Sequence, residues 1–422
     1  MKTYAIDTLG CKVNQYEIQQ IMQFLTDNGL LYVQNFDSAE LIIIHTCSVT
    51  HTASAKSRQL IRKAQKQSPN AKIIVSGCLV KSDPQELKNL DQNLIFTPDL
   101  KDLFEILKKE IEPNSFIDKE LLLHKFQGQT RAFLKIQDGC DGFCSYCIIP
   151  KTRPVLTFKP ADDVLIEAQS LVNAGHKEIV LTGIFLGAYG QTSVKRKNWP
   201  TGENPYLAEI IEKIAQMPDL KRLRLSSLEP ADVTDRLLDV MKNCPNIMPH
   251  LHLSLQSGSD AILKKMNRQY AVRDFLKSIE NINLQLDRPA ITTDIIVGFP
   301  GETMQDFAQS LAVAKLAGFS KIHIFPFSKR KGTAAEKLQS PIDKEIIKQR
   351  ILVLRELEKQ LAMRFRIKFF GETVQVLIED EVKKTGRCER YYEIAVKSDK
   401  PIAKGEIVKC KISDDKTGKI AT

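Results

Sequence analysis

The feature that most restricts the fold of this sequence is a regular alternation of short apolar strands with helices. Between residues 132 and 325 the first residues of six predicted strands are 46, 44, 29, 41 and 29 positions apart. Each interval has room for one strand, one crossover helix and loops, so the series predicts a six-stranded partial (β/α)6 barrel with its active site at the C-terminal strand ends. The predicted strands are Ala132–Gln137, Glu178–Thr182, Arg222–Ser226, Leu251–Leu255, Thr292–Val297 and Lys321–Phe325.

The segments on either side of this series have patterns of their own. The first 112 residues alternate helices with the strands Thr3–Leu9, Leu41–Ile44, Lys72–Val75 and Leu94–Phe96, and this alternation predicts an open parallel α/β sheet. The last three of these strands are continuously apolar, as is typical of buried parallel strands. Residues 113–125 are expected to be a linker, and a long helix is predicted over Asp343–Arg366.

The last part of the chain alternates as β-strands. Thr373–Ile378, Tyr391–Val396 and Ile407–Ile412 are separated by glycine and proline, which predicts a small antiparallel β-barrel. The sequence therefore predicts an α/β protein with three domains, at residues 1–112, 126–355 and 367–422.

The composition narrows the environment and the partners. The N-terminus has no apolar signal core, and the longest apolar runs are strand-sized, so we expect a cytoplasmic protein without a membrane partner. In a reducing compartment nine cysteines indicate metal ligands or buried thiols rather than disulfides. The net charge of +10 favours an anionic partner such as nucleic acid, although a solvated lysine-rich surface gives the same count.

Three cysteines lie close together directly after the first barrel strand. Cys140, Cys144 and Cys147 have the spacing C-x3-C-x2-C, which suits a 4Fe-4S cluster with three ligated irons and one open iron. The alternatives are a zinc knuckle or chance clustering. Zinc normally needs a fourth Cys or His nearby, and none follows within about 25 residues.

Three other cysteines each follow an apolar strand of the N-terminal sheet. Cys11, Cys47 and Cys78 are 36 and 31 residues apart, about one βα unit each. Because the C-terminal ends of parallel strands lie on one edge of a sheet, these positions predict a second three-cysteine cluster. The alternative is three unconnected buried thiols. Three further cysteines share no spacing and are interpreted as packing residues: Cys244, Cys388 and Cys410.

These motifs carry a resemblance to known families. The segment from Cys140 to Cys147 resembles the signature of radical S-adenosylmethionine (SAM) enzymes. The whole chain resembles the methylthiotransferases, which have an N-terminal cluster domain, a radical SAM barrel and a C-terminal RNA-binding TRAM barrel. The matching motifs are Thr8–Glu17, Thr46–Thr50, Ser76–Cys78, Cys140–Pro150, Leu225–Pro230, Leu253–Gly258, Met266–Arg268 and His323–Arg330.

The run Gly-Cys-Lys-Val-Asn-Gln around Cys11 is similar to the branch that acts on N6-threonylcarbamoyladenosine at nucleotide 37 of tRNA. The alternatives are a methylthiotransferase acting on isopentenyladenosine tRNA or ribosomal protein S12, and a non-enzymatic RNA-binding iron–sulfur protein. Three positions depart from the family pattern and bear on substrate preference. Arg153 is followed by Pro154 rather than glycine, Phe185 replaces a histidine, and His45 replaces an asparagine.

The resemblance implies two 4Fe-4S clusters and two molecules of SAM per turnover. The cluster at Cys140, Cys144 and Cys147 would generate a 5′-deoxyadenosyl radical, and the cluster at Cys11, Cys47 and Cys78 would carry the sulfur that is methylated and placed on C2 of adenine. The implied partners are the tRNA anticodon loop and a small electron-donor protein of the flavodoxin or ferredoxin type.

Further site residues are expected around these cysteines. Tyr146 resembles the aromatic residue that packs near the adenine of SAM, while Gly183 and Gly298 follow later strands where the backbone must approach the cofactor. In the terminal barrel, four basic residues are expected to contact RNA phosphates: Lys383, Lys384, Arg387 and Arg390.

Overall fold

The computed structural model describes residues 2–90, 94–110, 122–199, 204–414 and 416–420. The predicted linker therefore lies outside the described residues as far as residue 121. No described helix is both long and apolar enough to cross a bilayer.

The N-terminal part is an open sheet of five parallel strands in the order β2-β1-β3-β4-β5. The sheet is apolar on both faces because β1, β3, β4 and β5 each contribute side chains to two separate apolar clusters, one on each face. The parallel sheet predicted from the continuous apolar strands is confirmed. Its elements are β1 Thr3–Thr8, α1 Lys12–Asp27, β2 Leu31–Tyr32, β3 Leu41–Thr46, α2 His51–Gln67, β4 Lys72–Gly77, α3 Cys78–Ser82, α4 Pro84–Lys88, β5 Ile95–Thr97 and α5 Leu100–Glu110.

The central part contains the six predicted strands in two four-stranded sheets, β7-β6-β8-β9 and β10-β11-β12-β13. The break lies at Ser226, so that β9 pairs with β8 while β10 pairs with β11. The elements are β6 Arg131–Asp138, α6 Ile149–Thr152, β7 Thr157–Phe158, α7 Ala161–Asn173, β8 Glu178–Gly183, α8 Pro205–Ala215, β9 Arg222–Leu225, β10 Ser227–Leu228, α9 Asp235–Asn243, β11 His250–Leu253, α10 Asp260–Lys265, α11 Val272–Gln285, β12 Ala290–Val297, α12 Met304–Ala317, β13 Lys321–Pro326 and α13 Lys344–Ile367.

Alternate residues of the central strands face opposite sides. On β11 and β12, Leu251, Leu253, Ile291 and Ile295 join the large core under the helices. His252, Thr292 and Asp294, at the alternate positions, face the other side, which is the lumen of the partial barrel. Helix α12 shows sequence signals typical of helix ends: it begins with a capping box at Thr303 and ends at Gly318, which has left-handed backbone angles.

The C-terminal part is a closed barrel with the strand order β14-β15-β16-β18-β17. Two of its strands, β15 and β18, are not among the three predicted from sequence. Tyr391, the first residue of one predicted strand, has a φ of 70°, so that strand begins at Glu393 instead. The elements are β14 Thr373–Asp380, β15 Thr385–Cys388, β16 Glu393–Lys397, β17 Ile407–Ile412 and β18 Thr417–Ile420.

Two buried arginines of the central barrel hold this module. Arg222 donates to the backbone oxygens of Arg387 and Gln375 at 3.0 and 2.7 Å, and Arg224 donates to that of Glu389 at 3.1 Å. Both arginines lie near the Glu178 carboxylate, at 3.5 and 2.9 Å, which balances their charge.

Candidate active site

The loop with Cys140, Cys144 and Cys147 leaves β6 at its C-terminal end. The Cys140 N–H donates to the Arg153 carbonyl at 3.0 Å, which closes the loop. Gly139 has a φ of +78°, and a Cβ there would lie 1.8 Å from the backbone oxygen of Val155. The close return of the chain therefore requires glycine before the first cysteine.

All three of these cysteines line one cavity of about 370 Å³. Burial raises the pKa of Cys140 to about 11 and that of Cys147 to about 12, so the free thiols stay protonated and a bound cation would replace their protons. Arg268 Nη1 donates to Cys144 Sγ at 3.1 Å, so a guanidinium lies directly against this sulfur. Three clustered sulfurs beside a buried guanidinium fit an iron–sulfur cluster.

Part of the cavity lining beside the cysteines is polar. Arg268 Nη2 donates to Glu229 Oε1 at 2.6 Å, and Arg196 Nη1 donates to Glu229 Oε2 at 2.5 Å. Ser254 and Gln256 add hydrogen-bonding groups where β11 ends. These groups can therefore bind a charged, polar small molecule in the same cavity as the three sulfurs.

The other residues predicted to bind the cofactor lie at different distances from this cavity. Tyr146 lines it, with its hydroxyl 3.5 Å from Arg268 Nη1. Gly183 lies just outside the lining, against the Gln137 side chain. Gly298 is also outside it, and a Cβ there would lie 2.6 Å from Ile347 of α13. For the two glycines cofactor binding stays a prediction.

The second cysteine triad lies at the C-terminal edge of the N-terminal sheet. Cys11, Cys47 and Cys78 directly follow or lie shortly after β1, β3 and β4, as the sequence predicted. Cys11 is exposed, whereas Cys47 and Cys78 are buried. Gly10 has a φ of +126°, and a Cβ there would lie 2.9 Å from Cys47 Cβ and 3.2 Å from Cys47 Sγ. Only glycine fits where these two cysteine loops meet.

Asn14 ties the two loops together. Its Nδ2 donates to the Leu9 oxygen at 2.9 Å and to the Thr46 oxygen at 3.1 Å, residues that lie just before Cys11 and Cys47. Burial raises the pKa of Cys47 to about 11, so this thiol too stays protonated until a cation replaces the proton. The donor set fits a cluster held by three thiolates.

An ion network lies between the two triads. The Arg153 guanidinium contacts Glu17 through Nη1 and Nη2 at 2.7 and 2.6 Å, Asp138 at 2.9 Å, and Asn14 Oδ1 at 3.3 Å. Its backbone oxygen accepts from Cys140. Helix α3, which begins at Cys78, also packs against α6, which begins two residues after Cys147. Arg153 therefore connects one cysteine loop to the other.

His45, a departure noted in the sequence, belongs to the same network. It lies in β3, and its Nε2 is 2.9 Å from Glu17 Oε2, with both side chains about 3% exposed. Because β3 extends to Thr46, His45 lies within the strand and its ring is buried inside the network.

The basic residues of the terminal barrel have different environments. Lys383 is exposed, and Lys384 donates to the Ser398 oxygen at 2.6 Å. Arg387 pairs with Glu379 at 3.2 Å, while Arg390 donates to the backbone oxygens of Arg288 and Asp287. Lys383 is thus the most accessible of the four, and RNA binding by these residues stays a prediction.

Several site residues carried no assigned role in the sequence analysis. Arg268 and Glu229 lie in the motifs Met266–Arg268 and Leu225–Pro230, and Asn14 and Glu17 lie in the motif around Cys11. The signal was that all four lie within motifs that match the methylthiotransferases. Glu17 and Arg153 contact each other although they are 136 residues apart in sequence, so this contact depends on how distant segments pack.

Comparison with known proteins identifies relatives over nearly the whole chain. Residues 3–97 match the uncharacterized protein family UPF0004, and residues 134–314 match the radical SAM superfamily. A threonylcarbamoyladenosine tRNA methylthiotransferase MtaB from Chlamydia pneumoniae is 39% identical over 89% of this chain and 87% of its own length. A protein of the same name from Bacillus subtilis (strain 168) is 35% identical over 98% of this chain and 94% of its own length.

More distant similarities extend the comparison. A tRNA-2-methylthio-N(6)-dimethylallyladenosine synthase from Acetivibrio thermocellus is 30% identical over 99% of this chain and 89% of its own length. Among solved structures, the radical SAM methyltransferase TsrM from Kitasatospora setae superposes with a TM-score of 0.57, at 12% identity, over 79% of this chain and 77% of that one. This last similarity concerns the fold.

Proposed function

Because the chain belongs to the MtaB-like methylthiotransferases of the radical SAM superfamily, we propose that its two cysteine triads divide the modification of tRNA between them. The substrate position is C2 of N6-threonylcarbamoyladenosine at nucleotide 37, and the product is the 2-methylthio derivative. An aromatic C–H has no acidic proton for a general base to remove, so this carbon requires radical chemistry.

The residues of the barrel site bind and orient the cofactor. Cys140, Cys144 and Cys147 would hold a 4Fe-4S cluster, which would supply the one-electron reduction of SAM that starts the radical chemistry. Arg268 balances the negative charge of the sulfurs on one side and holds Glu229 on the other. Tyr146 would pack beside SAM, and Ser254 and Gln256, which line the same cavity, would offer hydrogen bonds to its polar groups.

We assign the second 4Fe-4S cluster to Cys11, Cys47 and Cys78, where it would carry the sulfur that is methylated before transfer. This division uses two molecules of SAM per turnover. Asn14 and Gly10 keep the Cys11 and Cys47 loops together. The observation that carries the proposal is the single Arg153 network between the two triads, since it supports a transfer from one site to the other.

The proposal includes the domains, partners and location. The cluster-binding domain would extend over residues 1–112, the radical SAM core over 126–355 and the TRAM domain over 367–422. A base of the tRNA anticodon loop can leave its stack to enter the barrel, while exposed Lys383 is suited to a backbone phosphate. A flavodoxin or ferredoxin would donate electrons, and a cytoplasmic location follows from the substrate.

Nucleoside analysis of tRNA tests this function. A strain lacking the gene and any redundant enzyme should lose 2-methylthio-N6-threonylcarbamoyladenosine, and the parent gene should restore it. Cys147→Ala and Cys78→Ala should both fail to restore it, whereas Cys410→Ala, in the core of the terminal barrel, should succeed. Persistence of the nucleoside in the deletion strain would contradict the assigned substrate, and loss of a methylthio-isopentenyl nucleoside instead would indicate the other tRNA branch.

The reconstituted enzyme gives an independent measurement. About eight irons per chain are expected with two clusters of four. Reduction in the presence of SAM should release 5′-deoxyadenosine, which an RNA-binding iron–sulfur protein without activity would not do. About four irons would contradict the second cluster.

A further inference from the structure

Three potential metal ligands lie on adjacent strands inside the barrel. His252 is on β11, Asp294 on β12 and His323 on β13. Asp294 and His323 are direct partners in the β12–β13 register, and His252 is paired with Thr292, two residues before Asp294. Since Leu251, Leu253 and Ile295 face the outer core, these three side chains face the lumen.

Their ligand atoms are close enough to share one ion. One atom from each residue lies within 4.8 Å of the others. His252 Nε2 is 3.3 Å from Asp294 Oδ2, and the rings of His252 and His323 are 5.7 Å apart between centroids. Two imidazoles and one carboxylate are a donor set that binds divalent transition metals such as Zn²⁺ or Fe²⁺.

A hydroxyl group holds the first histidine in place. Thr292 Oγ1 lies 2.9 Å from His252 Nδ1, which leaves Nε2 directed towards Asp294. The same hydroxyl also lies 3.2 Å from His250 Nε2, so it has hydrogen-bond partners on two sides. Thr292 as a whole is only 3% exposed. Partners of this kind fix the ring orientation of metal-binding histidines in known sites.

We propose that His252, Asp294 and His323 form a binding site for one divalent transition-metal ion, separate from both cysteine triads. Three protein ligands leave a coordination position for an oxygen ligand from solution. His323 is exposed, so the site is open on one side.

The position of this site relates it to the reaction. Ser254, which lines the cavity of the cysteine loop, is two residues after His252 along the same strand direction. That separation is about 6.6 Å at the rise of a β-strand. An ion held by these three residues would therefore lie about two residues deeper in the lumen than the lining of the cofactor cavity.

Zinc binding to the holoenzyme tests the proposal. Untagged protein with both cysteine triads occupied by iron–sulfur clusters is dialysed anaerobically against Zn²⁺, and zinc and iron are counted by mass spectrometry. One zinc per chain is expected, with iron unchanged. Thr292→Val, which keeps the side-chain shape, should weaken zinc affinity about 10- to 100-fold. His252→Ala and Asp294→Asn should weaken it more, because each removes a ligand.

The matched control is His124→Ala, which removes an exposed histidine outside the barrel lumen and should leave zinc binding unchanged. Each variant must keep the iron content of the parent, which shows that it has folded. Zinc well below one per chain in the parent, or equal zinc affinity in the parent and in all three site variants, would overturn the proposal. The measurement involves no tRNA, so it stands or falls separately from the proposed methylthiotransferase function.

Discussion

Replacing Arg153 with methionine should loosen α1 from the central barrel. Glu17 lies on α1 with a side chain only 3% exposed, and Arg153 contacts both of its carboxylate oxygens. Burial by itself raises the pKa of Glu17, but Lys135 and Arg153 outweigh it and hold that pKa well below 4.5. Because the folded-state pKa is lowered, this stabilisation is present above about pH 4.5 and is lost as the pH falls below it.

The remaining contacts of Glu17 set the size of the effect. Removing one partner of a buried ion pair costs about 3–5 kcal/mol. Glu17 keeps Lys135 at 3.0 Å and His45 at 2.9 Å after the change, so we expect the lower end, about 3 kcal/mol. That corresponds to a roughly 100- to 200-fold larger population of the opened α1.

Native-state hydrogen exchange measures this opening directly, and it applies to a multidomain protein in which a single unfolding free energy is poorly defined. Backbone amides of α1 should exchange roughly 100-fold faster in Arg153→Met, with a smaller increase in Arg153→Lys, which keeps the charge but not the two-point contact. Arg236→Met, which breaks an exposed pair with Glu212, should change the exchange of its own helix less than about fivefold. An increase for α1 as small as that of this control would refute the role assigned to Arg153.

Three further changes probe other parts of the structure. Gly10→Ala should halve the iron content, because a Cβ there collides with a neighbouring cysteine, whereas Gly29→Ala, also at positive φ but in open space, should keep all of it. Burial lowers the pKa of His176, so its contribution to stability should be full above pH 6.5 and fall below that, and hydrogen exchange of residues 122–130 in His176→Gln should lose this pH dependence. Iron analysis should find half the parent content in Cys78→Ala and the full content in Cys410→Ala, since only the first thiol lies in a triad.

The cysteine triads could be located from sequence because their positions depend on local patterns. A continuous apolar strand followed by a polar turn marks a strand end, and parallel strand ends share one edge. Cys11, Cys47 and Cys78 therefore needed no knowledge of packing. The C-x3-C-x2-C loop is local by definition.

Other features depend on packing between distant segments. At Ser226 the chain passes from the sheet in which β9 pairs with β8 to the sheet in which β10 pairs with β11. Similarly, β15, Thr385–Cys388, forms a strand between β14 and β16. Likewise nothing near Arg390 in sequence shows that its guanidinium is used against Asp287 and Arg288. A count of basic residues cannot separate cations that face solvent from those that join domains.

The attachment of the terminal barrel has a consequence for how this protein can vary. Arg222 and Arg224 donate to main-chain oxygens of the module, at Gln375, Arg387 and Glu389, rather than to its side chains. Every residue type offers such an oxygen, so substitutions on the module's surface leave these hydrogen bonds available. The module can therefore change its surface side chains while these hydrogen bonds to the central barrel are kept.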